Sequence, residues 1–333
     1  RKNVAALNTH PRIEIRFFNP FLSKKLSALN KLGEILGDFD RLNHRMHNKL
    51  LVADNTIAVV GGRNIGDEYF GLNQEFSFRD MDLVTIGPIV DQISDAFDLY
   101  WHSTWVLSPA QLEKKSGKSP AKDRETAREN RERYAKVIQN IERKLGEYGD
   151  RLKKFETKTG ERERLAAQFK NEAVLGTARV VVDTPPVEKG KKADQVSSLD
   201  PELPRNATSE ASVSTPYLIP TAKGIAGIEQ HIDAGIALRV LTNSLESNDV
   251  LLTHVGYQPY REPLVEAGVE LYEVRADAAS RGFYATQPVE VENLALHAKV
   301  AIVDREKVFV GTMNFDPRAM IENTEVGVIV ESP

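Results

Sequence analysis

Short aliphatic and β-branched runs alternate with longer amphipathic stretches along most of this chain. Residues 13–18 (IEIRFF), 49–53, 56–60 and 83–86 predict strands, each bounded by Asn, Asp or Gly turn residues. Residues 88–105 place Ile93, Phe97, Trp101 and Trp105 four apart, which predicts an amphipathic helix with its rings packed in a core. Further on, 213–219 predicts a strand, and Thr221 can cap a helix that ends at Gly235. A strand at 237–241, a helix from about 247 to 267 and a strand at 269–274 follow. This order predicts an α/β fold built on mostly parallel, buried sheets.

Between these regions the period changes. Tyr134, Ile138, Ile141, Leu145, Tyr148, Leu152 and Phe155 recur at alternating spacings of 4 and 3, a heptad-like seam on a charged helix. Residues 111–172 hold 18 Lys/Arg and 12 Asp/Glu, so this insert is locally basic although the whole chain carries −4. The seam can pack on its own protein, pair with a second chain or lie on anionic lipid; Gly146 and Gly149 interrupt a long coiled coil and favour self-packing. Residues 184–210, rich in Pro, Ser, Lys and Glu, read as a linker. The expected organisation is a first half over 1–107, the helical insert over 108–175 and a second half over 176–333.

With 333 residues and 41% apolar side chains the chain is long enough for two packed domains. Cysteine is absent, which removes disulfides, thiolate metal sites and a cysteine nucleophile. No run approaches 18 apolar residues, so no transmembrane segment is expected within this chain. The slightly acidic balance argues against a protein that coats nucleic acid.

The chain also repeats itself. His47-Asn-Lys49-Leu-Leu-Val-Ala-Asp54 and His297-Ala-Lys299-Val-Ala-Ile-Val-Asp304 share the pattern HxKxxxxD, and Gly61 matches Gly311 and Asn64 matches Asn314 at the same offset of 250. The strand at 13–18 matches that at 269–274 at an offset of 256. The second copy has room for a strand, a helix and a strand over about 211–243 that the first copy lacks. The expectation is therefore two pseudo-two-fold related halves, the first of them N-terminally truncated, with the insert between.

Alternate residues of a strand share a face, so His47 lies beside Lys49 and His297 beside Lys299. If the halves converge, two imidazoles, two ammonium groups and two carboxamides line one cavity. Such donors suit a phosphodiester, whose charge must be held while a P–O bond breaks. One His attacks phosphorus, and the other protonates the leaving alkoxide and then deprotonates the incoming alcohol or water. No cofactor and no metal are called for by these residues. Asp54 and Asp304 end their strands and are read, like Gly61 and Gly311, as structural members of the motif. Arg63, where the second copy has Met313, either binds a phosphate or forms a salt bridge.

Paired HxKxxxxD motifs resemble the phospholipase D superfamily. The flanking segments Gly61-Gly-Arg-Asn-Ile-Gly-Asp-Glu-Tyr-Phe70, Thr215-Pro-Tyr-Leu-Ile-Pro220, Leu241-Thr-Asn-Ser244, His254-Val-Gly-Tyr257 and Gly311-Thr-Met-Asn-Phe-Asp316 are most similar to bacterial cardiolipin synthases of that type. The resemblance covers about four-fifths of the chain, leaving out the insert and linker. It implies phosphatidyl transfer to the terminal hydroxyl of phosphatidylglycerol from a second phospholipid, phosphatidylethanolamine among the candidates, through a phosphohistidine. It also implies His47 as nucleophile and His297 as general acid, with Lys49 and Lys299 catalytic and Asn64 and Asn314 on the phosphate. The family places a carboxylate after each motif that reaches the other copy's His: Glu325 here, and Asp82, with Asp80 and then Glu75 as rivals. His254 and Tyr257 are possible pocket residues on the same ground. The expected setting is the cytoplasmic membrane, contacted peripherally and without nucleic acid. Hydrolysis by water, a nuclease of the same superfamily and a non-catalytic lipid-binding scaffold are the alternatives, and two intact motifs speak against the last.

Overall fold

The computed structural model describes residues 7–8, 10–20, 44–73, 75–115, 123–147, 149, 159–185, 206–279 and 292–332. They belong to two compact units, Arg1–Arg45 with Leu99–Asn171 and Glu188–Gly190, and Met46–Asp98 with Glu172–Val187 and Lys191–Pro333. Both motifs lie in the second unit.

Its strands are β1 (Leu50–Ala53), β2 (Ile57–Gly61), β3 (Phe76–Arg79), β4 (Asp82–Ile86), β5 (Thr177–Val182), β6 (Glu210–Ser214), β7 (Ala237–Asn243), β8 (Glu270–Val274), β9 (Asn293–Leu296), β10 (Val300–Val303), β11 (Lys307–Gly311) and β12 (Val326–Glu331). Seven form a sheet ordered β8-β7-β6-β10-β11-β12-β5, and β1-β2-β4 form a second sheet. The α/β class holds, but the expectation of mostly parallel sheets needs correcting. Within the seven-stranded sheet only β6, β7 and β8 run parallel, joined by helices, and β3 and β9 form a separate parallel pair. The strands β10, β11, β12 and β5 are antiparallel to their neighbours, as are β1, β2 and β4. Each motif strand turns back within three residues, too few for a parallel crossover. Those turns repeat: Asp54 and Asn55 have φ 53° and 47°, Asp304 and Arg305 φ 53° and 60°. Asp and Asn tolerate this left-handed region better than most residues.

The main core joins Val213, Val240, Leu264, Val269, Phe309 and Ile329 across the large sheet and its helices. A second cluster sets Ala58 and Val60 of β2 with Val326 and Val328 of β12, closed by Ile89, Val90 and Ile93. That cluster brings the strands following the two motifs together. The helix Ala222–Asp233 starts at Thr221, whose hydroxyl accepts from the Gly224 amide at 3.2 Å, and Gly235 follows it at φ +87°. The single helix expected over 247–267 is divided into Leu251–Tyr257 and Arg261–Glu266 by a 3₁₀ turn at Gln258–Tyr260, where Pro259 has no N–H to donate. The helix expected over 88–105 spans Ile89–Trp101, so Trp105 lies beyond its end. Strand β5 was not anticipated; its TARVVV run precedes the stretch read as linker, of which 186–205 lie outside the described residues.

In the other unit Phe17–Phe18, all that forms of the strand expected at 13–18, pairs antiparallel with Val106–Leu107. The Phe18 ring lies 5.4 Å from Tyr100 and 6.3 Å from the buried Trp105. The insert forms the helices Asp123–Glu147 and Thr159–Glu172. On the first, Tyr134 and Ile138 are half-buried and Ile141 is exposed, so the seam is only partly covered; Tyr148, Leu152 and Phe155 lie outside the described residues. No helix among the described residues is long and apolar enough to cross a membrane.

Candidate active site

His47 and Lys49 immediately precede β1, and His297 and Lys299 immediately precede β10. The His47 amide donates to the Thr324 carbonyl at 2.9 Å and the His297 amide to the Arg79 carbonyl at 2.8 Å. Each motif is thus anchored by backbone that leads to or from the other copy's strands.

Strands β3 and β9 pair in parallel with Arg79 opposite Leu296. The next residues, Asp80 and His297, are therefore neighbours, and Asp80 Oδ2 accepts from His297 Nδ1 at 2.7 Å. The other Asp80 oxygen takes the Met81 amide at 2.8 Å. Asp82, expected in this place, is instead paired with Arg63 and sits opposite Gly61 in β4. The correction follows from strand register, because Asp82 has already entered a different sheet. The reciprocal contact is made by Glu325, whose Oε2 accepts from His47 Nδ1 at 2.8 Å. Glu325 is fully buried; Asn323 donates to its other oxygen, Thr312 Oγ1 to Oε2, and its amide donates to Asp183 Oδ2 at 2.8 Å. With both Nδ1 atoms held by carboxylates, Nε2 of each ring is the atom left for chemistry, that of His297 with Lys299 Nζ at 3.3 Å.

The lysines sit at the centre of this arrangement. Lys49 Nζ donates to the His47 carbonyl at 2.8 Å and Lys299 Nζ to the His297 carbonyl at 2.6 Å. Burial lowers Lys49 to about 8 and the fully buried Lys299 to about 7, in both cases against the pull of Asp80 and Glu325. Burial also lowers His297 to about 4, assisted by the charges of Lys299 and Lys49 and opposed by Asp80. For Asp80 burial acts upward, yet its bond to His297 and the charges of His297 and Lys299 hold it below the usual carboxylate range. Lys49 feels the partner of His297, and Lys299 the partner of His47, so both copies share one electrostatic site.

Asn314 is buried, and its Oδ1 has no hydrogen-bond partner among the described residues. Asn64 is exposed and donates to Tyr69 Oη at 2.8 Å. Arg63 is committed to Asp82 and the Tyr69 carbonyl, which is the salt-bridge reading rather than a free phosphate ligand. A Cβ on Gly61 would meet the Met81 carbonyl at 2.7 Å, and one on Gly311 the Val326 carbonyl at 2.6 Å; both positions require close backbone approach. Asp304 accepts from the amides of Thr208, Ser209 and Glu210 and from two hydroxyls, which holds its carboxyl well below the usual carboxylate range and ties the motif turn to β6. The Asp54 turn has the same backbone form. His254 is buried with Nδ1 unpartnered among the described residues, while the Tyr257 hydroxyl donates to Glu273 at 2.8 Å; neither is linked to the paired histidines by a hydrogen bond. Glu75 contacts Asn293 through its backbone and is not at either imidazole.

Three contributors escaped the sequence reading: Thr312 and Asp183, which orient Glu325, and Tyr69, whose ring meets His297 edge-on at 5.0 Å. Thr312 follows Gly311 directly in a segment already singled out, but nothing in its spacing identifies a hydroxyl aimed at Glu325. Among the described residues no three His, Asp or Glu side chains are grouped as metal ligands.

Residues 203–333 match the family described as "Cardiolipin synthase, PLD-like domain". The chain is 35% identical to cardiolipin synthase C of Escherichia coli K12 over 98% of its own length and 66% of that protein, and 26% identical to cardiolipin synthase 2 of Bacillus cereus over 93% and 45%. It thus spans less than two thirds of the length of these relatives. In fold it is similar to phosphatidylserine synthase of Haemophilus influenzae, with a TM-score of 0.50 at 14% identity over 86% of this chain and 58% of the other.

Proposed function

We propose that this chain, which resembles the phospholipase D superfamily and within it the cardiolipin synthases, is a phosphatidyltransferase that makes cardiolipin through a phosphohistidine. The observation that carries this reading is the crossed pairing of His47 with Glu325 and His297 with Asp80 around the half-buried Lys49 and the fully buried Lys299. One imidazole Nε2 attacks the donor phosphorus as the bond to the leaving alkoxide breaks, and the other imidazole gives that alkoxide its proton. The same imidazole then takes the proton of a phosphatidylglycerol hydroxyl, whose oxygen bonds to phosphorus as the P–N bond breaks. Lys49, Lys299 and Asn314 stabilise the phosphoryl oxygens throughout. His47 is assigned as nucleophile. That assignment rests on the resemblance alone; the pKa of His297, lowered by burial to about 4, favours a neutral imidazole there and supports a second reading with the two roles exchanged.

Phospholipid substrates require contact with a bilayer surface. Leu251, Leu252 and Val255 share one helix with their side chains exposed, Leu252 by 81%, which supports peripheral contact of this unit with membrane. The two-half description of residues 1–107 and 176–333 is kept as part of this reading.

The test uses the full-length protein with phosphatidylglycerol vesicles in EDTA, with and without phosphatidylethanolamine, and mass spectrometry of the lipids. Cardiolipin formed by wild type and lost in both His47→Ala and His297→Ala is the expected result. Phosphatidic acid alone would make the protein a hydrolase, and no lipid product would overturn the reading. Acid-quenched protein, digested and sequenced by mass spectrometry, places the phosphoryl adduct on one histidine.

A further inference from the structure

Strand β6 ends at Ser214, opposite Val300 and so one residue from Lys299. The segment that follows is pinned beside the site: the Phe315 amide donates to Thr215 Oγ1 at 3.3 Å and the Ile219 amide to the Phe315 carbonyl at 2.8 Å, with Asn314 the next residue. Between these two ties stands Tyr217, whose hydroxyl donates to Asp249 Oδ1 at 2.8 Å. Asp249 is exposed, acts electrostatically on Tyr69 and Lys299, and is in no salt bridge among the described residues.

This pair differs in chemistry from everything else at the site. The lysines, the imidazole N–H groups and the Asn side chains can donate to a phosphate. The Tyr217 proton is already spent on Asp249, so the pair offers lone pairs only: those of Tyr217 Oη and of Asp249 Oδ2. A phosphate presents acceptors and cannot satisfy it. A donor must fill the place, and an ammonium there would meet the charge of Lys299, whereas a hydroxyl carries no such cost.

We infer that Tyr217 and Asp249 form the alcohol-binding element of the site, accepting hydrogen bonds from the hydroxyls of the polyol that takes up the phosphatidyl group. A vicinal diol can donate its non-attacking hydroxyl to this pair while the attacking one gives its proton to the imidazole, and a monohydric alcohol has no second hydroxyl to donate. This rests on the transferase reading above and names what selects its acceptor.

The test runs the full-length protein on a short-chain, water-soluble phosphatidyl donor with glycerol and 1-propanol in competition, then with glycerol and ethanolamine. Wild type is compared with Tyr217→Phe and Asp249→Asn; the latter keeps an oxygen for Tyr217 and removes the charge. The expected result is a fall in the glycerol-to-propanol product ratio of about tenfold in each variant, the scale of one lost hydrogen bond. An unchanged ratio, even with reduced turnover, would mean the pair is structural and would overturn the inference alone. A larger loss for ethanolamine than for glycerol would overturn it in favour of a cation site. Wild type that yields phosphatidic acid and no alcohol product would remove the transferase reading and the inference with it.

Discussion

Asp80, which follows the first motif in the chain, holds His297 of the second at 2.7 Å, while Asp82 two residues later is turned away and paired with Arg63. A carboxylate on Nδ1 fixes the ring and stabilises the imidazolium that forms in proton transfer. Asp80→Asn should therefore lower kcat about 10³-fold with little change in KM. Asp82→Asn should cost less than about tenfold, since it breaks only a half-exposed ion pair. Steady-state rates of the two variants on one lipid substrate decide it; equal losses would mean that Asp80 has no special role.

Glu325 depends on a hydroxyl that sequence spacing does not reveal. Thr312→Val keeps the shape of the side chain but removes the donor on Glu325 Oε2 and the acceptor for the Val326 amide. The Val326 amide then goes unmet and Glu325 Oε2 keeps its bond to His47 without the second donor, at a cost of about 1–3 kcal/mol. The variant should unfold at a lower temperature and also lose turnover, because Glu325 is held less firmly on His47. Thr312→Ser should restore both, and the imidazole signals of His47 in NMR should shift in Val and return in Ser.

The repeat, the paired His and Lys and the turn aspartates are legible in the chain because they recur at a fixed offset of 250, whereas Glu325 is reached only through the resemblance to the superfamily. The choice between Asp80 and Asp82 was not. It depends on β9 pairing in register with β3, more than 200 residues away, and no local pattern encodes which residue falls opposite Leu296. The mostly parallel sheet was expected from the strand–helix order of 213–274, which is right for β6, β7 and β8, but the hairpins after each motif continue the sheet antiparallel. Strand β5 was not anticipated because its β-branched run fills the short gap between the basic insert and the stretch read as linker. The split of the 247–267 helix was legible in Pro259 and was overlooked.

The lowered lysines set a pH dependence for anion binding. Lys299 at about 7 and Lys49 at about 8 lose their charge as pH rises through these values in the free protein. Competitive inhibition by sulfate, whose own charge is constant from pH 5.5 to 9, should be strongest at the acid end. Its inhibition constant should rise about tenfold per pH unit above 7 as the first lysine deprotonates, and more steeply above 8. An inhibition constant flat across this range would show that both lysines titrate near their ordinary value.

Lys299 also carries a cost for the fold. Its folded pKa of about 7 lies below the ordinary lysine value of 10.5, so below pH 7 the fold must carry a buried charge that the unfolded chain solvates freely. The penalty is complete below about pH 7, shrinks as pH rises from there toward 10.5, and is absent above. Lys299→Met removes the charge in a chain of similar length. It should abolish turnover yet stabilise the protein by roughly 1–2 kcal/mol at pH 6, after the loss of the bond to the His297 carbonyl and of the pull on Asp80 and Glu325 is set against it. Thermal denaturation of wild type and variant at pH 6, 8 and 9.5 measures this, and the gap in Tm should narrow at each step. A variant less stable than wild type at pH 6 would show that the carboxylates around Lys299 need its charge more than the fold resents burying it.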